Sequence, residues 1–499
     1  MNVIMAKIAR KMSKKKNHLF RFLAIAIGAA IFAALTPTIV QAIEPTANIT
    51  TLESLDKTTA QLKLSIDTSW VLMTGFLVFF MQCGFAMLEA GLVRQTGVVN
   101  TLTENFIDAA VTLLAWWLTG FAIAFGTTGN GFWGTDGFLL NNAFTISDGV
   151  ISYTMGAGGA DIQLNTFTLF FFQFAFSATA STITTGAMAE RTDFKGDLIY
   201  AFIMGAVMYP IVVHWVWNSG GWLNKLSFHD FAGSAVVHSV GGWTALIGAY
   251  LLGPRPDREW GQMPPAHNLA YATIGTMILW FGWYGFNAGS ALSLQNTGLV
   301  GLVVVNTSLA AATGALAAIL YIYFRFKQWH LFGALNGSLA GLVAVTAGCA
   351  YVMPWAAALI GLVAGVLVLV VADIIEWFEI DDPVGAFAVH GSCGMMGTIA
   401  VGFFAHPSLS INQKAGLFLG GGFDLLGVQL GGVAAISIFT VVFSFLMFGS
   451  LKALGMLRVN EEADHIGIDV YEHGASAWPD VYPIDNMQFD EDDSDDAED

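Results

Sequence analysis

Long apolar runs separated by short polar segments fill most of this chain. An α-helix rises 1.5 Å per residue, so about 20 apolar residues cross the roughly 30 Å hydrocarbon core of a membrane. After residue 42 the chain has eleven such runs, at residues 70–92, 106–126, 165–187, 197–217, 231–252, 268–289, 298–324, 329–349, 354–377, 383–405 and 427–451. The pattern therefore predicts an all-α, polytopic membrane protein with eleven transmembrane helices.

The two ends of the chain differ from this apolar middle. A basic segment, an apolar stretch and the small-residue site Val40-Gln41-Ala42 are together typical of a secretory signal peptide, with an uncleaved extra helix as the alternative. The sequence thus divides into a signal peptide (1–42), an extracytoplasmic segment (43–69), a membrane domain (70–455), a cytoplasmic regulatory region (456–478) and an acidic disordered tail (479–499).

Basic loop residues indicate the orientation, because Lys and Arg concentrate on the cytoplasmic side of a membrane protein. Lys225 and Lys414 fall on one side of the predicted map. The other side holds Arg94, Arg191, Lys195, Arg255, Arg258, Arg325, Lys327, Lys452 and Arg458. We therefore expect a protein of the cytoplasmic (inner) membrane with its mature N-terminus outside and its C-terminus in the cytoplasm.

Composition narrows the class further. Hydrophobic residues make up 55% of the chain and charged residues 11%, against roughly a quarter charged in soluble domains, so we expect membrane lipid as the main surroundings. No basic patch follows the N-terminal segment, which argues against a nucleic-acid partner. Cys83, Cys349 and Cys393 lack metal-ligand spacing, and we expect them to be buried packing residues rather than a metal site.

A repeat links two distant spans. Asp230-Phe-Ala-Gly-Ser-Ala-Val-Val-His238 begins the fifth span and Asp382-Pro-Val-Gly-Ala-Phe-Ala-Val-His390 begins the tenth, and the two spans enter from opposite sides. Two halves of opposite topology are typical of inverted-repeat transporters, so we predict a 5+5 inverted repeat plus one extra helix. Eight residues are about 12 Å of helix, which places both histidines near the midplane, where they should meet.

Histidines at membrane depth usually mark a transport pathway or a proton relay. Their alternatives are core histidines bonded to backbone carbonyls and, less favoured, ligands of a haem. Asp230 and Asp382 start their helices, where a carboxylate caps free N–H groups. Asp230 has a second possible role, attracting a cation to a pore mouth.

Aromatic residues cluster at the predicted outer ends of three spans. Phe176, Trp217 and Ser290 approach the same side, and aromatic faces with a hydroxyl acceptor suit a monovalent cation that carries N–H donors. Interfacial aromatic anchors are the common alternative. Periodicity alone does not select these three residues.

Several of these segments resemble signatures of the ammonium transporter (Amt/Mep/Rh) family, and most closely its prokaryotic Amt type. The resemblance covers about residues 65 to 475, with the motifs in order. They are the two repeat segments above, His214-Trp-Val-Trp217, Gly186-Ala-Met-Ala-Glu-Arg191, Gly-Trp-Tyr-Gly-Phe286-Asn-Ala-Gly-Ser290, and the run from Arg458 to Gly474. The family implies a homotrimer with one narrow hydrophobic pore through each subunit.

The resemblance also implies roles for single residues. Phe176, Trp217 and Ser290 correspond to an outer ammonium recruitment site, and Phe176 and Phe286 to a stacked gate beneath it. The remaining matched positions are the twin pore histidines, His238 and His390, and the structurally essential acid near the entrance, Asp230.

The expected function is transport of ammonium or ammonia, and of methylammonium, without enzymatic activity and without a cofactor. A PII-type signal protein at the cytoplasmic face is a hypothesised partner of the region from Arg458 to Gly474. An ammonium sensor that signals through its C-terminal region and an Rh-like gas channel are the alternatives, with a membrane redox enzyme a distant fourth. The short sequence after the last span disfavours a pure sensor.

Overall fold

The computed structural model describes residues 52–147, 150–153, 164–256, 258–261 and 266–481. The predicted signal peptide, and the acidic tail from residue 482 onward, lie outside the described residues. The candidate site and the helices around it belong to one compact unit that begins at Leu62.

Among the described residues, nine helices are long and apolar enough to cross a membrane, and two further helices lie at the other predicted spans. We number these helices α1 to α11 in chain order: Leu52–Leu92, Gln95–Phe125, Thr166–Met188, Phe194–Lys225, Ser234–Leu252, Leu269–Gly289, Thr297–Phe326, Leu331–Thr346, Pro354–Trp377, Phe387–Phe404 and Asp424–Ala453. Within α4 the helix is interrupted at residues 218–221, before a last turn at Trp222–Lys225. The all-α membrane fold is confirmed, while the count of eleven membrane spans stays a prediction.

Two helices are longer than their apolar runs. The first is helical from Leu52, eighteen residues before its predicted start at residue 70, because residues 52–69 contain neither Gly nor Pro to end a helix. The second spans Gln95–Phe125. Its first turns carry the polar residues Asn100 and Glu104, so a search for runs of apolar residues starts the helix too late. Both side chains are nevertheless buried against the protein.

Glycines allow α7, α8 and α9 to pack closely. A Cβ atom at Gly341 would lie 2.1 Å from the carbonyl oxygen of Ala310, and one at Gly365 would lie 2.2 Å from that of Gly314. Small residues at helix crossings let backbones approach in a bilayer, where the hydrophobic effect between helices is absent. These three helices therefore form a tightly packed group.

Both helices of the repeat begin with a π-helical turn. Ser234–Ser239 opens α5 and Phe387–Ser392 opens α10, and each turn contains one of the two histidines. Two more π-helical turns, Trp116–Gly120 in α2 and Met204–Met208 in α4, also interrupt regular helix. Such turns are rare and occur frequently at functional sites.

A small β-hairpin adds to the helical fold. Strands β1 (Phe144–Ser147) and β2 (Val150–Tyr153) pair antiparallel, with Phe144 opposite Tyr153, in the connection between α2 and α3. The apolar-run rule looks only for spans and does not detect so short a hairpin.

The expectation for the cysteines is wrong at one position. Cys349 and Cys393 are buried, but Cys83 is exposed. Cys83 lies on the outer face of α1 that also exposes Phe76 and Phe80, so its apolar surroundings in the sequence come from an outward-facing helix side and not from the core.

The C-terminal segment packs against the N-terminal end of α2. Its two short helices are α12 (Glu461–Ile466) and α13 (Ile468–His473). The Asp469 carboxylate accepts hydrogen bonds from the backbone N–H groups of Val99 (2.9 Å) and Asn100 (2.7 Å) and so caps α2. A ring nitrogen of His473 lies 2.8 Å from the Asn100 side-chain oxygen.

Candidate functional site

The two repeat histidines meet inside the helix bundle. Nδ1 of His238 lies 3.1 Å from Nδ1 of His390, and the rings stack with centroids 5.2 Å apart and 21° between their planes. The residues are 0% and 6% exposed. A hydrogen bond between these nitrogens needs one donor and one acceptor, so at least one ring is neutral in this arrangement.

Matching acid caps hold the two histidine turns. The Asp230 carboxylate accepts hydrogen bonds of 2.8–2.9 Å from the backbone N–H groups of residues 233–236. The Asp382 carboxylate accepts bonds of 2.9–3.0 Å from residues 385–387. Three residues after each acid, Gly233 (φ 109°) and Gly385 (φ 77°) take left-handed conformations that L side chains rarely adopt. The repeat therefore reproduces the acid cap and the left-handed glycine, with four backbone N–H bonds at Asp230 and three at Asp382.

Burial also affects the ionisation of these acids. Burial raises the pKa of Asp230 to about 6, although the four backbone N–H donors act in the opposite direction. Burial likewise raises the pKa of Asp382, although its backbone donors lower it. Both carboxyl groups thus combine a capping role with a low-dielectric environment.

Two phenylalanine rings lie directly beside the histidines. Phe176 of α3 and Phe286 of α6 are fully buried and stack with centroids 4.0 Å apart and an interplanar angle of 23°. The Phe286 ring centroid lies 5.3 Å from that of His238. Trp283, which the sequence interpretation did not single out, stacks on His238 at 5.0 Å and 15°. Trp283 lies one helical turn before Phe286, and this spacing was the feature of the sequence that could have indicated a place beside the histidines.

The predicted outer residues flank this stack. Trp217 meets Phe176 edge to face at 6.1 Å, and its indole N–H donates a 2.8 Å hydrogen bond to the Asp230 carbonyl oxygen. The Ser290 hydroxyl donates to the Phe286 carbonyl oxygen at 2.8 Å, which leaves its oxygen lone pairs free to accept. The structure thus joins Trp217, Phe176 and Phe286 by ring contacts and places Ser290 one turn beyond Phe286.

An acid that sequence reasoning missed fixes the loop after Ser290. The buried Asp67 carboxylate accepts hydrogen bonds from the Ser293 hydroxyl (2.9 Å), the Leu294 backbone N–H (2.8 Å) and the Gln295 amide (2.8 Å). Asp67 precedes the first apolar run by three residues. This closeness to a predicted span was the only feature of the sequence that could have indicated its role. It positions the segment that follows the predicted recruitment site.

A small cavity lies on the other side of the histidine pair, toward the C-terminal segment. Its volume is ≈ 20 Å³, and its lining includes His390, Phe85, Glu89, Asn336 and Val384. Glu89 is an acid within an apolar span, a signal that the sequence interpretation did not use.

Arginine side chains connect loops on the side of the helix bundle where the C-terminal segment packs. Arg255 pairs with Glu190 (2.7 Å) and with Asp381 (2.8 Å), and Arg94 also pairs with Glu190. Burial raises the pKa values of Glu190 and Asp381, but the neighbouring guanidinium groups outweigh it and hold both pKa values below their ordinary range. The network connects loops from the two halves of the repeat.

A family model described as "Ammonium Transporter Family" matches residues 69–478, most of the chain. The chain belongs to the ammonium transporter family. Among the described residues of this ammonium transporter family member, no three His, Cys, Asp or Glu side chains converge to hold a metal ion.

Curated relatives of this family member match most of its chain. Ammonium transporter Amt2 of Archaeoglobus fulgidus is 41% identical, over 84% of this chain and 89% of its own length. Ammonium transporter 3 of Dictyostelium discoideum is 37% identical, over 84% and 95%. These relatives are named as transporters, not enzymes.

Solved structures share the fold of this family member. A sensor Amt protein is 35% identical with a TM-score of 0.75, covering 83% of this chain and all of its own. Mep2 of Saccharomyces cerevisiae is 29% identical with a TM-score of 0.72, covering 80% of this chain and 88% of its own. Both support the multi-pass membrane architecture.

Proposed function

We propose that this protein transports ammonium, and methylammonium as its analogue, through a hydrophobic pore within each subunit. The observation that carries this proposal is the buried pair of His238 and His390, 3.1 Å apart, directly beside the stacked rings of Phe176 and Phe286. Such a path has polar ring nitrogens but no fixed charge. It favours a solute that sheds its proton and crosses as ammonia, and it rejects potassium, which cannot.

The outer recruitment site consists of Phe176, Trp217 and Ser290. Two aromatic rings in edge-to-face contact and a hydroxyl oxygen with free lone pairs suit ammonium, because cation–π attraction and an accepted N–H bond stabilise it together. Asp230 acts as the structural acid near the entrance, since its carboxylate caps the His238 turn and its carbonyl oxygen holds the Trp217 indole.

Phe176 and Phe286 form the gate below that site. Their rings stack at 4.0 Å and so close the direct route from Trp217 to His238, and they must separate for a solute to pass. A hydrated cation pays for losing its water shell at such an apolar constriction, whereas neutral ammonia loses far less. The gate and the histidines thus act one after the other, and both favour neutral ammonia over a hydrated cation.

Orientation and assembly belong to the same proposal. The protein lies in the cytoplasmic membrane as a homotrimer, with the C-terminal segment in the cytoplasm, as the loop charges and the family indicate. A PII-type signal protein binds near α12 and α13, where Asp469 and His473 connect this segment to α2.

Uptake into proteoliposomes tests the proposal. We expect wild-type protein to take up labelled methylammonium in a saturable manner that ammonium inhibits. His238→Ala combined with His390→Ala should strongly reduce this uptake while the protein still elutes as a folded oligomer. Ammonium-specific transport at the wild-type rate without either histidine would contradict the mechanism.

A sensor is the second candidate, because one structural relative is a sensor Amt protein. The same preparation separates the two functions. Wild-type protein that binds ammonium at the outer site but carries none into proteoliposomes would favour the sensor. Uptake that rises linearly without saturation would instead favour an Rh-like gas channel.

A further inference from the structure

The cavity behind His390 has the size of one small solute. Its volume of ≈ 20 Å³ exceeds the ~10–15 Å³ that one water molecule requires, and ammonia is of similar size. Most of its lining is apolar, including Phe85, Val384 and Val389. His390 and the Glu89 carboxyl group are its two titratable members.

Glu89 reaches this cavity from α1. It lies one helical turn beyond Phe85, whose ring centroid is 6.2 Å from that of His390. The residue is 2% exposed, and its carboxyl group accepts a hydrogen bond from the Asn105 amide (2.9 Å) and lies 2.9 Å from the Thr185 hydroxyl oxygen. The Thr185 hydroxyl also contacts the Thr182 carbonyl oxygen, at 2.6 Å. Both partners of Glu89 are neutral, and none of the ion pairs found within the described residues involves Glu89.

A purely structural role does not account for an acid at this position. Glutamine would tie α1 to Asn105 and Thr185 equally well and would avoid the cost of a buried carboxyl group without a cationic partner. Acids inside membrane helices typically face a cavity or pathway and exchange protons or bind cations there. Glu89 fits this description, because it shares a solute-sized cavity with a pore histidine.

We propose that Glu89 is the proton donor to ammonia at the inner exit of the pore, an inference that rests on the proposed transport of ammonium. Ammonia that passes the histidines enters the cavity, and its nitrogen lone pair takes the proton of the Glu89 carboxyl group. One O–H bond breaks, one N–H bond forms, and ammonium leaves beside a Glu89 carboxylate. The proton that the incoming ammonium gave up at the histidines then crosses the cavity and restores the carboxyl group.

Glu89→Gln tests this role, because it keeps the size and hydrogen bonds of the side chain but removes its exchangeable proton. In proteoliposomes of the full-length protein, we expect the maximal uptake rate to fall about a hundredfold, within the range for loss of a general acid. The half-saturating concentration should stay unchanged, because the outer site is intact. Glu104→Gln is the matched control, a buried acid of α2 outside this cavity, and it should retain the wild-type rate.

Infrared difference spectroscopy provides a readout that does not depend on the rate. Addition of ammonium to the wild-type protein and to Glu104→Gln should change a carboxylic-acid C=O band that Glu89→Gln lacks. Glu89→Asp keeps the acid and should keep the band with an intermediate rate, which allows the test even where Glu89→Gln folds poorly.

The outcomes separate this inference from the proposed function. A folded Glu89→Gln protein with the wild-type maximal rate would overturn the role of Glu89 and leave transport intact. So would a Glu89→Gln protein that shows the same ammonium-induced change in the C=O band as the wild type. Equal losses in Glu89→Gln and Glu104→Gln would make both acids structural and would also overturn it. Wild-type protein without uptake would overturn the proposed function itself.

Discussion

At the residue scale, we propose that Trp217 determines how tightly the outer site holds a cation. Its ring packs edge-on against Phe176, and its N–H is occupied by the Asp230 carbonyl oxygen, so the free aromatic surface is its remaining means of contact. Cation–π attraction contributes roughly 0.5–2 kcal/mol, which is up to about thirtyfold in binding. Trp217→Leu should therefore raise the half-saturating ammonium concentration by up to that factor.

Ser290→Ala is the companion variant to Trp217→Leu. It removes one hydrogen-bond acceptor worth about 1 kcal/mol, so its half-saturating concentration should rise only about fivefold. The maximal rate should change little in both variants, because the proposed gate and the histidine pair are untouched. Concentration curves that match the wild type in both would show that ammonium is recruited elsewhere.

The sequence predicted the residue positions of the site better than their contacts. Matching segments around His238 and His390 indicated that the two rings meet, since each lies eight residues after an acid at its helix start. Stacking of Trp283 on His238 was not predictable, because thirteen percent of the chain is aromatic and ring geometry depends on packing between distant helices. Glu89 was visible as an acid inside an apolar run, but only the fold places it beside His390.

At the element scale, the caps of the two repeat helices differ in one respect that can be measured. Both Asp230 carboxylate oxygens accept two backbone N–H groups each, whereas the second oxygen of Asp382 accepts one. Asparagine retains only one acceptor oxygen. Asp230→Asn should thus leave two buried N–H groups unpaired and Asp382→Asn only one, at about 1–3 kcal/mol per group.

Thermal unfolding in detergent distinguishes these two variants. The melting temperature should fall further for Asp230→Asn than for Asp382→Asn when both are measured at the same pH above 7, which exceeds the pKa of about 6 at Asp230. Equal losses, or the reverse order, would mean that the caps do not control the stability of the histidine turns.

Apolar runs also predicted the helices better than their internal irregularities. Every predicted span coincides with a helix, because length and hydropathy are local properties of the sequence. The π-helical turns at Ser234–Ser239 and Phe387–Ser392 were not predicted, since they depend on caps and on packing against the other half of the repeat. The β-hairpin was missed for a similar reason, because β1 and β2 have four residues each.

At the scale of the whole molecule, Arg255 joins the two halves through Glu190 and Asp381. Both acids have pKa values below their ordinary range, so their ionised forms stabilise the folded state. This contribution is complete above the ordinary values of 4.5 for Glu190 and 3.8 for Asp381 and is lost as the pH falls below them. Long-range pairs of this kind are not evident from sequence, because 65 and 126 residues separate Arg255 from its partners.

Arg255→Gln should destabilise the protein by about 3 kcal/mol near neutral pH, the cost of removing one partner from a buried ion pair. The difference in stability between wild type and variant should shrink as the pH is lowered from about 5 to about 3. Comparing the two proteins cancels the opposite contribution of Asp230, whose raised pKa adds stability on acidification. A difference that stays constant over this range would contradict the assigned ionisation.

Potassium flux through histidine variants tests the central claim most directly, namely that an uncharged histidine pair admits only a solute able to shed a proton. His238→Asp or His390→Glu puts a potential anion where the two rings now meet, which lowers the cost of an intact cation at that depth. In proteoliposomes under matched gradients, wild-type protein should pass ammonium and no potassium, and each acid variant should pass both. Variants that still exclude potassium, or wild-type protein that conducts it, would contradict this account of selectivity.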